Sequence, residues 1–470
     1  MSESETTICV LGGGPAGATI ARRLAQLGHA VCLVERDAFP RPHVGESLAP
    51  GILPLLEALG LRACVEAAGF LRPKRAVVRW AAALDQTREQ PGPPGFQVDR
   101  GRFDQLLLEA AVAAGVRMVQ PALALRPEPD GQGWRIPLRR GGNAEVLSAH
   151  FVVDATGRAA VLGGPKRHCG ATTIALYGYW RASGQTGPET RVEAGRDAWF
   201  WGAPLPDGSF NATVFVDPQA CVGARGLGLE ALYRALLAES ALLRSCLRGQ
   251  LCSPVRACDA TARHDQDPVR SNVLKVGEAA CAIDPLASQG VQAAMASAQQ
   301  GAAVVHTLLT TPVHARAAVQ FYRDRQAETA ERHRTYAARF YAEHQDHRGR
   351  PFWRSRAGDN PAPGPQTGHP TPQQLHADAR VALAHQARLE PTPCLDGNLI
   401  RSLPALCHPA LDRPVAFLDA VAVAPLLSGV APGDSIETIV QRWVRELPLE
   451  RCLALMHWML EHGILVPWSP

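Results

Sequence analysis

The chain has 470 residues, enough for two or three domains with substantial cores. Hydrophobic residues make up 46% and charged residues 20%, the balance of an ordinary globular protein. A net charge of +4 with no Lys/Arg-dense block argues against a nucleic-acid partner.

Residues 1–7 are polar and acidic, without the basic start and apolar run of a secretory signal. No apolar run approaches bilayer-spanning length, so no membrane partner and a cytoplasmic location are expected. The twelve cysteines are scattered. Cys246, Cys252 and Cys258 lie six residues apart without a second ligand pair, so no metal site is expected.

In chain order, residues 7–11 read as a buried strand, 15–27 as a helix and 30–35 as a second strand. That is a βαβ unit, which favours a parallel sheet. Residues 75–84 and 171–217 turn aromatic and β-branched with Gly/Pro turns, the pattern of a mainly antiparallel sheet. A strand returns near Val273, followed by a helix over 291–307 and a polar, Arg-rich helix within 312–343. Residues 346–373 are rich in Pro, Gly, Arg and His and read as an extended connection. Asp434-Ser435-Ile436-Glu437 looks like a capping box, leading into amphipathic helices to Leu460 and a stop at Gly463.

Gly12-Gly13-Gly14-Pro15-Ala16-Gly17 is a GxGxxG set between strand and helix, where its physics requires it. Gly12 permits the tight turn, Gly14 admits a pyrophosphate, and Gly17 allows close helix–strand packing. The helix N-terminus offers N–H groups and a positive dipole end to phosphates. Glu35 closes the second strand at the spacing that suits a ribose hydroxyl. Dinucleotide binding follows, with Ala16 and Arg36 included in the expected contact set.

Further motifs are Val152-Val153-Asp154-Ala155-Thr156-Gly157, Val276-Gly277-Glu278 and Asp284-Pro285-Leu286-Ala287-Ser288-Gln289-Gly290-Val291. Together they resemble the para-hydroxybenzoate-hydroxylase-type FAD fold shared by aromatic hydroxylases and flavin-dependent halogenases. The resemblance implies an α/β protein: a Rossmann-type FAD domain, an inserted antiparallel substrate sheet and a small helical C-terminal module. The corresponding segments are 1–74, 96–168 and 266–345 for the FAD domain, and 75–95 with 169–265 for the sheet. An extended connection over 346–401 and a winged-helix-like module over 402–470 complete the chain. The resemblance places Asp154 and Gly157 near the pyrophosphate and Glu278 at the ribityl chain, where most members have Asp. It adds Ser47, Arg100, Asp284, Pro285, Gly290 and Val291 as flavin contacts.

Val44-Gly45-Glu46-Ser47-Leu48 and Trp199-Phe200-Trp201-Gly202-Ala203-Pro204 are similar to segments of flavin-dependent halogenases, the second to their WxWxIP signature. Packing on the inserted sheet is the plain alternative for the two tryptophans. In halogenases an essential Lys follows a Gly-Phe segment; here Gly69-Phe70-Leu71-Arg72-Pro73-Lys74 puts Pro73 in that place and Lys74 one later. Gln289 stands where halogenases carry a small hydroxyl residue. Both departures favour hydroxylation through a C4a-hydroperoxyflavin, with O₂ as co-substrate and NAD(P)H or a separate flavin reductase supplying electrons. Glu46, Lys74 and His43 are the acid–base candidates, His43 equally an ordinary loop histidine.

The later segments resemble flavin monooxygenases of quinohaemoprotein amine dehydrogenase biogenesis. That likeness extends the expected aromatic substrate to a tryptophan within a partner polypeptide. A halogenase, a geranylgeranyl-reductase-like flavin reductase and a non-catalytic flavin-binding chaperone remain the alternatives.

Overall fold

The computed structural model describes residues 6–81, 86–89, 92–181, 187–223, 226, 228–344, 347, 349–358 and 376–469. The chain forms two compact units. One comprises Met1–His306 with Tyr322–Pro361, the other Thr307–Phe321 with Ala362–Pro470.

The first unit is built on a parallel sheet in which Thr6–Leu11 lies between Val31–Val34 and Asn143–Asp154. Arg117–Val119 extends it on one side and Val273–Lys275 on the other, both in parallel. Ile8, Cys9, Val10 and Leu11 are fully buried, as expected for a parallel strand covered on both faces. The helix Pro15–Gln26 packs against this sheet through Ala18, Ile20, Ala21 and Leu24. Small residues dominate that face because the helix starts directly from the strand's end.

The inserted sheet is mainly antiparallel, as its aromatic and β-branched pattern predicts. Ile174–Arg181 pairs with Phe210–Val216, which pairs with Trp199–Pro204 and then Thr190–Ala194. Arg75–Arg79 joins in parallel and carries Gln86–Glu89 at the edge. Period-two alternation gives the sheet two different faces. Leu176, Trp180, Ala212, Val214 and Val216 pack with Tyr233 and Leu237 of the helix Leu229–Glu239. Ala175, Trp199 and Phe215 point the other way, into a cluster with Trp80, Tyr341, Phe352 and Trp353. Trp199 stacks on Phe215 with ring centroids 3.7 Å apart, which gives the first tryptophan of the WxW motif a packing role.

The long helices Gly290–Thr310 and Ala315–Glu343 form as expected, and Pro351–Ala357 follows as a short helix. The extended connection over 346–401 is overturned where the chain is described. Besides that short helix, Arg380–Leu383 is a strand, and Arg388–Asp396 pairs with Leu399–Cys407 in a hairpin. Pro391 faces Pro404 across it. A two-stranded ribbon has a free edge on each strand, so prolines cost it no ladder bond. Most of the remainder, 359–375, lies outside the described residues.

The second unit therefore begins its strands well before residue 402, and it also takes in Thr307–Phe321 from the stretch assigned to the flavin domain. Its core gathers Val381, Leu427, Ile439, Trp443, Met459 and Ile464. Ser435 caps the helix Ile436–Trp443 by accepting from the Thr438 N–H at 3.1 Å. The cap thus falls one residue after Asp434, the first residue of the expected box, and Glu437 accepts from Gln441 instead of closing that box. No described helix is long and apolar enough to cross a membrane.

One buried ion pair ties the returning strand Val273–Lys275 to the end of Arg263–Asp265, a strand of a separate three-stranded sheet. Lys275 Nζ lies 2.7 Å from Asp265 Oδ2, and both side chains are almost completely buried. Removing one partner strands a buried charge, so Asp265→Ala is expected to cost about 3–5 kcal/mol. Adding Lys275→Met should restore a large part of that loss. Urea unfolding of the wild type, both single variants and the double variant checks this.

Candidate active site

The site starts from the glycine turn. Gly12 has φ +100°, and a Cβ there would lie 2.5 Å from the Ala155 carbonyl oxygen. A Cβ on Gly17 would lie 1.8 Å from the Gly12 carbonyl oxygen, an impossible approach. No side chain caps the helix that follows, so its first-turn N–H groups face an anion site. Gly14 leaves the approach to them clear.

The buried Glu35 carboxylate stands at this turn, where Oε2 accepts from the Gly13 N–H at 2.6 Å. Its other oxygen accepts from the Asp37 N–H at 2.9 Å. The turn, the open helix end and Glu35 together fit the phosphates and ribose of a dinucleotide. Ala16 is buried against Gly277 and serves as packing. Arg36 is largely exposed and paired with Asp37, so no contact joins it to the turn. The cation beside the turn is instead Arg41, whose guanidinium would be 3.6 Å from a Cβ on Gly14. Sequence reasoning passed over Arg41 because no motif marks it.

Asp154 is fully buried, and its carboxylate is consumed locally. Oδ1 accepts from the Thr156 N–H and hydroxyl, and Oδ2 from the Leu162 N–H. It shapes the turn that presents Gly157, whose φ is +63°. Across from Gly157, Glu278 accepts from Arg158 Nε at 3.1 Å. Arg158 also donates to the Thr261 carbonyl. It is a charged neighbour of the crevice that the glycine motif hid.

Asp284 caps its own turn by accepting from the Leu286 N–H at 3.0 Å, and it takes the Tyr341 hydroxyl at 3.1 Å. Burial raises the pKa values of both Asp284 and Tyr341. Pro285 opens a single 3₁₀ turn and Ser288 sits in the left-handed region at φ +49°. Gly290 and Val291 then begin the long helix, and nothing lies within 4 Å of a Cβ placed on Gly290. That vacant approach fits a planar ring laid against the helix start.

Glu46 is the buried carboxylate of this region. Oε1 accepts from the Tyr179 hydroxyl at 2.5 Å and from Asn211 Nδ2 at 3.1 Å, and Oε2 from the Gly45 N–H at 2.8 Å. Burial and the neighbouring carboxylate hold the Tyr179 phenol far above its ordinary pKa. Thr213 supports Asn211 from two residues along the strand. Arg100 is buried and forms a bidentate pair with Asp104, while its third nitrogen donates to the Val44 and Gly45 carbonyls. It therefore clamps the Gly45-Glu46 segment. Ser47 accepts from Gln97 Nε2 at 3.0 Å.

The other two acid–base candidates do not join Glu46. His43 bonds the Val44 carbonyl, and burial followed by the nearby Arg100 charge lowers its pKa. Lys74 is exposed just ahead of the strand Arg75–Arg79. Among the described residues no group of His, Cys, Asp and Glu is placed to hold a metal ion.

A cavity of about 180 Å³ lies beside the Asp284 turn. Asp284, Tyr341, His333, Arg356 and Cys169 line it together with small residues.

Comparison with known proteins places this arrangement. The tryptophan halogenase family model matches residues 7–93 and 63–369. Tryptophan 2-halogenase of Chondromyces crocatus is 32% identical over 338 residues, 68% of this chain and 64% of that protein. The matched stretch thus spans just under two thirds of that relative's length. The structure of CmlS, a flavin-dependent halogenase, superposes with a TM-score of 0.77 at 23% identity, over 99% of this chain and 96% of that one. QhpG, a peptidyl tryptophan dihydroxylase essential for tryptophylquinone cofactor biogenesis, gives a TM-score of 0.74 at 29% identity. That match covers 98% of this chain and all of QhpG. The chain belongs to the tryptophan halogenase family.

Two outcomes follow from this geometry. Glu35→Ala removes the acceptor beside the glycine turn and should weaken FAD binding by roughly tenfold or more. Fluorescence titration of the apoprotein with FAD measures it. Burial pushes the His333 imidazole down to about 4, below the roughly 6.5 of an exposed histidine. Its stabilising contribution is therefore complete above about pH 6.5 and lost as the pH falls toward 4. Urea midpoints at pH 7 and 4.5 should drop less for His333→Gln than for wild type.

Proposed function

We propose that this member of the tryptophan halogenase family is an FAD-dependent monooxygenase that hydroxylates an electron-rich aromatic ring, the indole of a tryptophan in a partner polypeptide. The observation that carries this reading is the position of the amine. By its resemblance to the halogenase segment, Gly69–Lys74 puts Pro73 where the lysine would fall, and Lys74 is exposed just ahead of the strand Arg75–Arg79. End-to-end similarity to QhpG supports the polypeptide substrate.

The residues that would hold FAD are Gly12, Gly14 and Glu35 at the ADP half, and Gly157, Glu278, Gly290 and Val291 farther along. Bound and reduced, FAD supplies the activation of O₂, with electrons drawn from NAD(P)H directly or through a separate flavin reductase. The protein supplies position, dryness and a path for the proton. Hydroxylating an aromatic ring releases a ring proton, and Glu46 is the carboxylate that can receive it. Tyr179 already donates to Glu46 Oε1 at 2.5 Å, so its hydroxyl can relay a proton to that atom. Asn211 and the Gly45 N–H keep the carboxylate oriented. Arg100 fixes the segment that carries it.

Intact-mass analysis tests the reading. Tryptophan-containing polypeptides are incubated with the protein, FAD, NADH, a general flavin reductase, O₂ and bromide. Gain of one or two oxygens is the expected result. A bromine isotope doublet would overturn it in favour of halogenation. Glu46→Gln should keep FAD and lower the oxygenation rate by about 10²-fold, the scale of one lost proton-transfer group.

A further inference from the structure

Trp199 and Trp201 stand two residues apart on one strand and so turn to the same face of the inserted sheet, yet they are used differently. Trp199 is 1% exposed and stacked on Phe215. Trp201 lies at the edge of the same cluster and is only half-buried. Its ring pairs with no other ring among the described residues. Trp80, Trp199, Tyr341 and Trp353 of that cluster are all joined in ring pairs. Core packing accounts for the first tryptophan of the motif and leaves the second unused.

Strand register shows what surrounds it. Trp201 pairs with Val192, and Val192 with Val78 on the next strand. The three side chains form one row across three adjacent strands, and all are half-buried and apolar. The rows on either side are closed. On one side stand the buried Trp199 and Trp80. On the other, one pleat repeat or about 6.7 Å along the strand, stand Ala203 and Asn211, both fully buried. Asn211 is the residue that donates to Glu46 Oε1. Leu286, from the turn that leads to Gly290 and Val291, packs against the same cluster as Trp201. The half-open row is therefore bordered by the Glu46 network and by the turn that would hold the flavin.

We propose that Trp201 seats the aromatic ring that is oxygenated by stacking on it, with Val192 and Val78 continuing the apolar surface toward the sheet edge. The inference rests on the hydroxylase reading and adds the residue that selects the ring. Stacking on an indole favours a planar, electron-rich guest over a saturated one of similar size. The row itself brings no charge or hydrogen-bonding group to fix a ring by its polar atoms, so selection there is by shape and by the ring face. Glu46 and Tyr179 keep the proton chemistry, and Trp201 determines specificity by touching the substrate.

The test uses the FAD-loaded full chain and the blocked peptide acetyl-Gly-Gly-Trp-Gly-Gly-amide, beside a copy with cyclohexylalanine in place of tryptophan. Equilibrium dialysis measures binding of each to the oxidised protein. Wild type should prefer the tryptophan peptide by about three- to tenfold, the scale of one aromatic pair beyond its buried area. Trp201→Ala should weaken the tryptophan peptide by about tenfold and bind the two peptides alike. Trp201→Phe, which keeps an aromatic face, should retain part of the preference, and retained FAD shows that each variant is folded. A wild-type measurement stands beside the variants: a peptide carrying 5-azido-tryptophan is irradiated on the protein and its adduct mapped by mass spectrometry. The adduct is expected on Thr190–Ala194, Trp199–Pro204 or Arg75–Arg79. An adduct confined to other segments, equal binding of both peptides by wild type, or an unchanged preference in Trp201→Ala overturns the inference. If the peptide gains oxygen in that case, the hydroxylase reading stands and only the seat is wrong. If the adduct and the preference are as expected but no tryptophan polypeptide gains oxygen, the seat stands and the hydroxylase reading fails.

Discussion

The close approach of Gly17 to the Gly12 carbonyl is the constraint from which the site grows. With a would-be Cβ only 1.8 Å from that oxygen, the helix can start directly off the first strand only because both positions are glycine. This closeness sets the helix N-terminus at the sheet's carboxyl edge, where its unpaired N–H groups become an anion site. Glu35 ends the neighbouring strand at the same edge, and its bond to the Gly13 N–H shows how near the two elements are. Ala155 follows the third strand and closes the turn from the opposite side. Three strand ends therefore converge on one loop, and the dinucleotide site follows from sheet order.

The acidic residues of the site illustrate how burial sorts function from structure. Asp154 is fully buried, yet its carboxylate receives three donors from its own turn, so its charge goes into shaping that turn. Glu46 is nearly as buried, but two of its three donors come from distant strands of the inserted sheet. One of them is a phenol that can itself exchange a proton. Glu278, only half-buried and paired with Arg158, keeps an oxygen toward Gly157. The same side-chain chemistry thus yields a carboxylate closed by its own turn, one held by distant strands and one paired with a single arginine, depending on which donors surround it.

Much of the flavin frame was legible because it depends on local sequence. A strand, a glycine turn and a helix are neighbours in the chain, so spacing alone carries their geometry. The partners of Glu46 were not legible for the opposite reason. Tyr179 and Asn211 lie 133 and 165 residues away, and only the register of two antiparallel strands brings them together. On the inner face the alternation places Tyr177 and Tyr179 beside Asn211 and Thr213, but sequence does not say which face turns to Glu46. The misread segment after residue 346 has a different cause. The connection over 346–401 rests on the composition of 346–373, whereas the hairpin lies beyond that stretch, and a two-stranded ribbon tolerates its prolines at positions that a central strand would reject.

Strand geometry also bears on the proposal that this member of the family hydroxylates. A lysine that delivers an activated halogen must project inward from its segment, and the side-chain period of an extended chain is two residues. Moving the amine by one position without a compensating bulge sends it to the opposite side. Leu71 bridges to Gln97 just before this point and the regular strand begins at Arg75, so little chain remains in which to absorb a shift. Pro73 narrows it further by fixing its own φ. Lys74 is left in solvent, and the ionisable group that the fold buries beside the aromatic face is a carboxylate. A carboxylate can take a proton from a hydroxylated ring but has no amine with which to hold a halogen. The place of the amine in this segment, rather than the flavin fold, is therefore what distinguishes the proposed chemistry from halogenation.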